Sequence, residues 1–215
     1  MNPEPIAILG GTGPQGRGLA LRFALAGTPV TIGSRDPARA EEVAAKLPPL
    51  VSGAGNAEAA TSADVVFVTV PWPAHEPTLC SLVDELRGRL IVDVVNPMVF
   101  DERGPVMVPV AEGSAAEQAQ ALLPDSIVVC GFHHVSAKHL LDEGRPVETD
   151  VLVCGDDLAG KERVLALARL IPGVRAVDSG ALRLSRFLEG MTSVLLSVNR
   201  QYKTTTGIRL THLEI

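Results

Sequence analysis

The stretch that decides the fold is Ile6-Ala7-Ile8-Leu9-Gly10-Gly11-Thr12-Gly13-Pro14-Gln15-Gly16, close to the amino terminus. Its first four residues predict a short buried strand, and the spacing Gly11-x-Gly13-x-x-Gly16 follows at once. Between a strand and a helix, this GxGxxG spacing is typical of a dinucleotide-binding βαβ unit. The glycines permit a tight turn, a close approach of the backbone to a pyrophosphate, and close packing of the helix on the strand.

A helix is predicted from Gln15 to Ala26, directly after the glycines. The free N–H groups and positive dipole end of its first turn would bind a diphosphate, and the Thr12 hydroxyl could donate one more hydrogen bond. The predicted cofactor contacts in this segment are Gly11, Thr12, Gly13, Pro14, Gln15 and Gly16.

The end of the second predicted strand distinguishes the two nicotinamide cofactors. About 20 residues after the glycines, an NAD-binding unit carries an acid that binds the ribose 2′-hydroxyl. Here Gly33 and Ser34 stand in that place and Arg35 follows, with Arg39 one helical turn later. A guanidinium and a serine hydroxyl both suit a 2′-phosphate, which favours NADP(H). The alternative is that Asp36 is the NAD acid, although Asp36 before a proline is also typical of a helix start.

Short apolar runs alternate with helical patterns along most of the chain, which predicts a parallel sheet covered on both faces. The fold class expected is therefore α/β, a Rossmann-like doubly wound and mostly parallel sheet with a small C-terminal α/β portion. The predicted strands are Ile6–Leu9, Val30–Gly33, Val65–Val70, Leu90–Val95, Ile127–Cys130, Val151–Cys154 and Val174–Val177. The remaining predicted helices are Pro37–Leu47, Ala74–Leu86, Ser114–Leu123 and Leu158–Ile171. We expect a dinucleotide domain over residues 1–148 and a small C-terminal domain over residues 149–215.

Three further strand ends carry candidate ligand contacts, because ligands of doubly wound sheets bind beyond the carboxyl ends of the strands. Val70 and Pro71 end the third predicted strand, and Asn96 ends the fourth. The fifth is followed by His133-His134-Val135. In an extended segment the two histidines would point in opposite directions, so that one faces a ligand. No carboxylate–His or Cys–His spacing accompanies them, so we predict no metal site.

Composition excludes several classes of function. The 215 residues carry a net charge of −6, which argues against a nucleic-acid partner held by phosphate attraction. No apolar run approaches the ~20 residues that a spanning helix needs, and the first residues lack the basic start of a signal peptide. Cys80, Cys130 and Cys154 are widely spaced, which favours buried reduced thiols. We therefore expect a cytoplasmic protein with small-molecule partners and no membrane partner.

The absence of two sequence motifs argues against the reduction of an alcohol or a ketone. The chain has no Ser-Tyr-x-x-x-Lys pattern and no evident Lys–His pair for carbonyl reduction, which needs a proton donor. Hydride transfer between two redox cofactors needs mainly the alignment of two rings and the exclusion of water. Reduction of another small acceptor, such as a flavin or an imine, stays open, as does a non-catalytic NADPH sensor.

The last predicted helix carries a continuous apolar stripe between Leu182 and Val198 that includes Phe187, Met191 and Leu195. The stripe fits packing on its own domain and fits a subunit interface equally well.

Several segments together resemble the NADPH-dependent reductases of coenzyme F420, an 8-hydroxy-5-deazaflavin. The likeness covers nearly the whole chain, and the combination is more specific than any one piece. The segments are the glycine-rich opening, Gly33-Ser34-Arg35, Val70-Pro71-Trp72, Ser114-Ala115-Ala116-Glu117, Val153-Cys154-Gly155-Asp156-Asp157, Asp178-Ser179-Gly180 and Ser185-Arg186 to Glu189.

This resemblance implies an oxidoreductase that passes hydride directly between NADP(H) and F420, in a cleft between a dinucleotide domain and a small C-terminal domain of a homodimer. It implies NADP contacts at Thr12, Ser34, Arg35 and Arg39, with Pro71 near the cofactor. It also implies that the segment from His133 to Ser136 faces the deazaflavin, so that His133, His134 and Val135 position that ring.

Overall fold

A computed structural model of the protein describes residues 4–214. Residues 1–3, which belong to the segment in which we expected no signal peptide, lie outside the described residues, as does residue 215. The strands are β1 Ile6–Leu9, β2 Val30–Ser34, β3 Val51–Gly55, β4 Val65–Val68, β5 Leu90–Asp93, β6 Met98–Asp101, β7 Gly104–Met107, β8 Ile127–Cys130, β9 Thr149–Gly155 and β10 Val174–Asp178. The helices are α1 Pro14–Leu25, α2 Pro37–Ala44, α3 Asn56–Thr61, α4 Trp72–Cys80, α5 Val83–Leu86, α6 Ala115–Leu122, α7 Ala137–Leu140, α8 Leu158–Arg169 and α9 Ser185–Tyr202.

Eight strands form one sheet in the order β10-β9-β8-β5-β4-β1-β2-β3. Six neighbouring strands of this sheet, β8, β5, β4, β1, β2 and β3, are all parallel. Chain order reverses between β1 and β4, as in a Rossmann sheet. Strand β9 pairs antiparallel with β8 and parallel with β10, so the last two strands run opposite to the others. Apolar clusters cover both faces of the sheet. The predicted doubly wound, mostly parallel α/β fold is confirmed.

The sequence did not predict β3 and α3, which complete the edge of the sheet beside β2. Strand β3 reads Val51-Ser52-Gly53-Ala54-Gly55, and two glycines in five residues give it little strand propensity. Its Gly53 is required by tertiary packing, because a Cβ there would lie 2.3 Å from the backbone of Ala40 in α2. The close approach of α2 to β3 therefore explains why β3 contains a glycine at position 53. This glycine lowers the strand propensity of the segment, so the sequence did not predict the strand.

Two other elements differ from the prediction. The single helix expected over 74–86 is divided into α4 and α5, which Ser81 and Leu82 separate. The stretch after Asn96 forms a small antiparallel hairpin of β6 and β7, which the sequence did not indicate. Cys130 and Cys154 are buried as expected, whereas Cys80 is exposed at the end of α4.

The tail after α9, which sequence reasoning could not place, is held by the buried carboxylate of Asp150. Arg175 donates to both oxygens of Asp150, at 2.7 and 2.6 Å, and Arg209 donates at 3.0 Å. The backbone N–H of Leu210 donates at 2.7 Å. Burial alone would raise the pKa of Asp150, but these hydrogen bonds lower it to about 2. The tail is thereby attached to the start of β9.

Candidate functional site

The first cavity lies at the carboxyl ends of β1 and β2 and has a volume of about 390 Å³. Helix α1 begins there with Gly13 as its N-cap and Pro14 in its first turn, and no side chain caps its N–H groups. These N–H groups are therefore available to an anion. Among the predicted cofactor contacts, those lining this cavity are Thr12, Gly13, Pro14, Gln15, Ser34, Arg35, Arg39, Val70 and Pro71.

The three glycines of the motif occupy different environments. A Cβ on Gly11 would lie 2.6 Å from the side chain of Ile32, and one on Gly16 would lie 2.5 Å from the Gly11 Cα. Both glycines are therefore needed for packing of α1 against the sheet. A Cβ on Gly13 would meet only the Gly10 carbonyl oxygen, at 3.4 Å. The protein leaves that space free, on the cavity side of the glycine turn.

Two arginines line this cavity, Arg35 directly after β2 and Arg39 in α2. Arg35 and Arg39 are exposed, and neither forms an ion pair within residues 4–214. In the described chain no carboxylate lines this cavity. The Asp36 side chain instead accepts a hydrogen bond from the Arg39 backbone N–H at 3.3 Å, as the N-cap of α2. Asp36 is thus used by the helix, while Arg35 and Arg39 face a cavity without negative charge.

The second cavity has a volume of about 360 Å³ and lies between the strand ends, the hairpin and α9. Its wall joins residues from distant parts of the sequence. They are Gln15, Thr69, Val70, Pro71, Trp72, Pro73, Val94, Val95, Asn96, Met98, Phe100, His133, Thr192 and Leu196. Asn96, predicted as a cofactor contact, lies in this cavity rather than in the first.

The histidine pair lies in a turn, not in the extended segment that the sequence suggested. Phe132 adopts a left-handed φ of 63°, and its carbonyl accepts from the Val135 N–H at 3.1 Å. The two imidazoles nevertheless diverge. His133 lines the second cavity, whereas His134 Nε2 lies 2.6 Å from the Asp150 carbonyl oxygen. Neither His134 nor Val135 lines either cavity.

The hydrogen bonds that fix His133 are made by its backbone carbonyl group and not by its ring. Its carbonyl oxygen accepts from Asn96 Nδ2 and from Thr192 Oγ1, both at 3.1 Å. Within residues 4–214 neither ring nitrogen makes a well-formed hydrogen bond, although both are buried and the Val94 backbone lies close to the ring. Burial lowers the pKa of His133 to about 4, so the ring is neutral near pH 7. A neutral, unpartnered imidazole facing a cavity can offer a hydrogen bond to a ligand but no ready proton.

The two cavities meet along a common wall of Gln15, Thr69, Val70 and Pro71. This wall lies beyond the end of β4, next to the place where the order of the strands reverses. Ligands of doubly wound sheets bind at this reversal. The arrangement can therefore hold a dinucleotide in the first cavity with one end reaching the second.

Sequence relatives connect this geometry to a family. Residues 5–97 match the family model described as NADP oxidoreductase, coenzyme F420-dependent. The F420-dependent NADP reductase of Methanocaldococcus jannaschii is 41% identical over 98% of this chain and 99% of its own length. The protein of the same name from Methanothermobacter thermautotrophicus is also 41% identical, over 97% of this chain and 95% of its own. The chain belongs to the F420-dependent NADP reductase family.

A solved structure agrees with this assignment. A protein from Arthrobacter sp. FB24, described as an F420-dependent NADP reductase, superimposes with a TM-score of 0.85. It is 28% identical and covers 97% of this chain and 100% of its own. The resemblance drawn from the motifs is confirmed.

Behind the second cavity, this member of the family carries a buried charged network that sequence reasoning missed. His75 Nε2 lies 2.7 Å from Asp93 Oδ2, and His75 Nδ1 lies 3.0 Å from Gln118 Oε1. Both ring nitrogens face acceptor oxygens, an arrangement that favours the protonated form of His75. Burial would lower the pKa of His75, but Asp93 outweighs it and the pKa is raised. The His75 ring stacks on Trp72, which lines the cavity, with 5.5 Å between ring centroids.

Glu189 joins α9 to this region. Its carboxyl group accepts from the backbone N–H groups of Ala115 and Ala116, at 3.1 and 3.3 Å. Burial, together with the nearby Asp93, raises the pKa of Glu189 to about 8. Only Glu189 was noticed in the sequence, as part of a resembling segment. His75 and Asp93 carry no local signal, because their pairing depends on α4 crossing the end of β5.

Within residues 4–214 no group of three His, Cys, Asp or Glu side chains is placed to hold a metal ion. No helix in the described part of the chain is both long and apolar enough to cross a membrane.

Proposed function

We propose that this protein is an oxidoreductase that transfers hydride between NADP(H) and the deazaflavin coenzyme F420. The observation that carries the proposal is the wall shared by the two cavities, formed by Gln15, Thr69, Val70 and Pro71. A nicotinamide at this wall would lie against a ring in the second cavity. Family membership supports F420 as that second ring, since the M. jannaschii relative is an F420-dependent NADP reductase.

In the first cavity, each group has a chemical counterpart in NADP(H). The first turn of α1 and the Thr12 hydroxyl would donate to the diphosphate. Arg35 and Ser34, with Arg39 nearby, would bind the 2′-phosphate, because a guanidinium forms charge-assisted hydrogen bonds to phosphate oxygens. Gly13 would lie against the diphosphate, in the space that its missing side chain leaves free.

In the second cavity, the residues position a ring and exclude water. With both cofactors bound, hydride would pass between the nicotinamide and the deazaflavin, so the protein must chiefly hold the two reacting carbons ~3–3.5 Å apart. The apolar walls from Trp72, Met98 and Leu196 keep water from the reacting atoms. Neutral His133 would donate a hydrogen bond to the acceptor ring and fix its orientation.

The decisive experiment mixes the purified protein with NADPH and oxidised F420 and follows the visible absorbance of the deazaflavin. The proposal expects rapid, enzyme-dependent loss of that absorbance. Binding of NADPH without turnover would instead identify an NADPH sensor. Turnover with a flavin or a cyclic imine, and none with F420, would show that the protein reduces another acceptor.

We also propose a homodimer built on α9. The exposed fractions of Phe187 and Val194 on this helix are 64% and 59%, and that of Phe100 on the hairpin is 71%. Replacing Phe187 or Val194 with glutamate should give monomers, since a charge in an apolar interface is costly. Light scattering at micromolar concentration measures the mass, and a monomeric wild type would contradict the dimer.

We propose the division into a dinucleotide domain over residues 1–148 and a C-terminal domain over residues 149–215. The reversal of strand direction at β9, which begins at Thr149, supports this boundary. A cytoplasmic location fits the cofactors proposed, and fractionation of the native host would test it.

A further inference from the structure

Asn56, at the start of α3, lies at the adenosine end of the first cavity. It follows β3, whose Gly55 pairs with Ser34 at the end of β2. Asn56 lines the first cavity together with Ser34, Arg35 and Arg39. It also lines a smaller adjoining cavity of about 260 Å³, again with Arg35. The amide is thus a neighbour of the groups assigned to the 2′-phosphate.

The Asn56 amide forms no hydrogen bond with the residues that the structure describes. Its Oδ1 is buried without a hydrogen-bond partner in the described residues, and its Nδ2 takes part in no hydrogen bond there either. It does not cap α3, whose N-cap is Gly55. The buried Oδ1 lies against Gly33 and, as an acceptor, cannot bind a phosphate oxygen. The Nδ2 group is the donor of this amide, and it is the atom left for an anionic ligand.

The glycine of β2 makes room for this amide. A Cβ on Gly33 would lie 2.8 Å from Asn56 Oδ1 and 3.3 Å from Asn56 Cα. Gly33 stands where an NAD-binding unit would carry its acidic residue or an immediate neighbour of it. The space above β2 is therefore taken by a neutral amide from the first residue of α3, beside Arg35.

We propose that Asn56 is a specificity-determining residue for NADP(H), whose side-chain amide donates to the 2′-phosphate alongside Arg35 and Ser34. The proposal rests on the proposed function, because it assigns a residue to the NADP site. An amide N–H donates a hydrogen bond to a phosphate oxygen and carries no negative charge. A carboxylate in the same place would repel the phosphate. Asparagine at this position therefore favours NADPH and excludes the charge pattern of an NAD site.

The test compares dissociation constants for NADPH and NADH, measured by nicotinamide fluorescence, in the wild type and in Asn56→Ala and Asn56→Asp. Loss of one hydrogen bond to a charged group should weaken NADPH binding by about 10- to 100-fold in Asn56→Ala. NADH binding should change little. Asn56→Asp should weaken NADPH further, because it adds repulsion to the loss of a donor, and should shift the preference toward NADH.

Ala57→Asp is the matched control. Ala57 is exposed and lines neither cavity, so this variant places the same charge one residue away, still in the first turn of α3. It should leave both dissociation constants near the wild-type values, and thermal melting would show that all three variants fold.

The possible outcomes distinguish a failure of the proposed role of Asn56 from a failure of the proposed function. A wild type that does not bind NADPH would remove the proposed function. A wild type that binds NADPH, with unchanged affinity in Asn56→Ala, would overturn the role of Asn56 alone. Equal losses of NADPH and NADH would also overturn it, because they would place the contact on a part that both cofactors share.

Discussion

The two cavities differ in how the chain builds them. The first is formed mainly by consecutive elements, β1, α1 and β2, and its two arginines, Arg35 and Arg39, form no ion pair within residues 4–214. The second collects side chains from β4, β5, the hairpin, the turn at His133 and α9, and it is backed by the buried pair of His75 and Asp93. The comparison teaches that phosphate recognition can be local, whereas the placement of a second ring depends on the whole domain.

The largest effect expected is in the first cavity, from Gly13→Val. The variant should fold, since the added side chain meets little of the protein, yet it should lose detectable NADPH binding because the side chain fills the space of the diphosphate. Gly16→Val is the contrast, because it collides with the Gly11 backbone and should fail to fold. Calorimetric titration with NADPH measures binding, and circular dichroism checks the fold. Normal binding by Gly13→Val would place the diphosphate elsewhere.

The next effect should be confined to the second cavity. Asp93→Asn removes the carboxylate that pairs with His75, at a site where both side chains are 0% exposed. Removing one partner of a buried pair costs about 3–5 kcal/mol in the free energy of unfolding. Urea titration measures this loss. NADPH affinity should change little at a temperature where the variant is folded, while the KM for F420 should rise.

Asp64→Asn is the control for that experiment. Like Asp93, Asp64 is an aspartate in an ion pair, here with Arg89, but the Asp64 side chain is 70% exposed. An exposed pair contributes about 0–1 kcal/mol. If both variants lose the same stability, the buried pair has no special role behind the second cavity.

A smaller effect tests the first cavity again. Arg35→Ala should remove a charge-assisted contact of about 1.5–3 kcal/mol, which is roughly 10- to 150-fold in NADPH affinity. NADH affinity should be nearly unchanged. Fluorescence titration with both cofactors measures this difference. Equal losses would show that Arg35 acts on structure and not on the 2′-phosphate.

The smallest effect concerns His133. His133→Asn retains a hydrogen-bond donor, so the KM for F420 should rise several-fold while kcat and the KM for NADPH change little. Steady-state assays between about pH 6 and 8 should show no histidine-dependent limb in kcat, because the ring, with its pKa lowered to about 4, is neutral throughout. A fall of several orders of magnitude in kcat would instead identify His133 as an acid or base.

The same histidine predicts a pH dependence of stability. Its folded pKa of about 4 lies below the unfolded value of about 6.5. As the pH falls through this interval the unfolded chain takes up the proton first, so the free energy of unfolding decreases. Urea titrations should show a shallower decrease in His133→Asn than in the wild type. The same slope in both would mean that His133 is not neutral in the folded protein.

Much of the first cavity was predictable from the sequence because its information is local. Gly11, Gly13 and Gly16 act through backbone geometry within one turn, and Ser34 and Arg35 follow a strand whose end the apolar pattern reveals. Asn56 escaped prediction because β3 has too little strand propensity to show where its end lies. Asp36, left open between an NAD contact and a helix cap, is a cap in the structure.

The geometry of the second cavity could not be predicted from local sequence patterns. The sequence singled out the histidine pair but could not choose between His133 and His134, because that depends on a turn at Phe132 rather than on strand alternation. Phe132 packs against Phe23 and Phe67, at 6.3 and 5.6 Å between ring centroids, and this core contact sets the turn.

By itself, then, the sequence determined the doubly wound sheet, the glycine turn at the start of α1 and the prediction of an NADP(H) site. Hydrophobic periodicity and glycine spacing are properties of neighbouring residues, and they act before the chain is compact. Only the tertiary structure decided that Asn56 joins Arg35, that His133 faces the cavity, and that His75 pairs with Asp93. These contacts join residues on separate elements, and they exist only once packing brings the strand ends to one edge of the sheet.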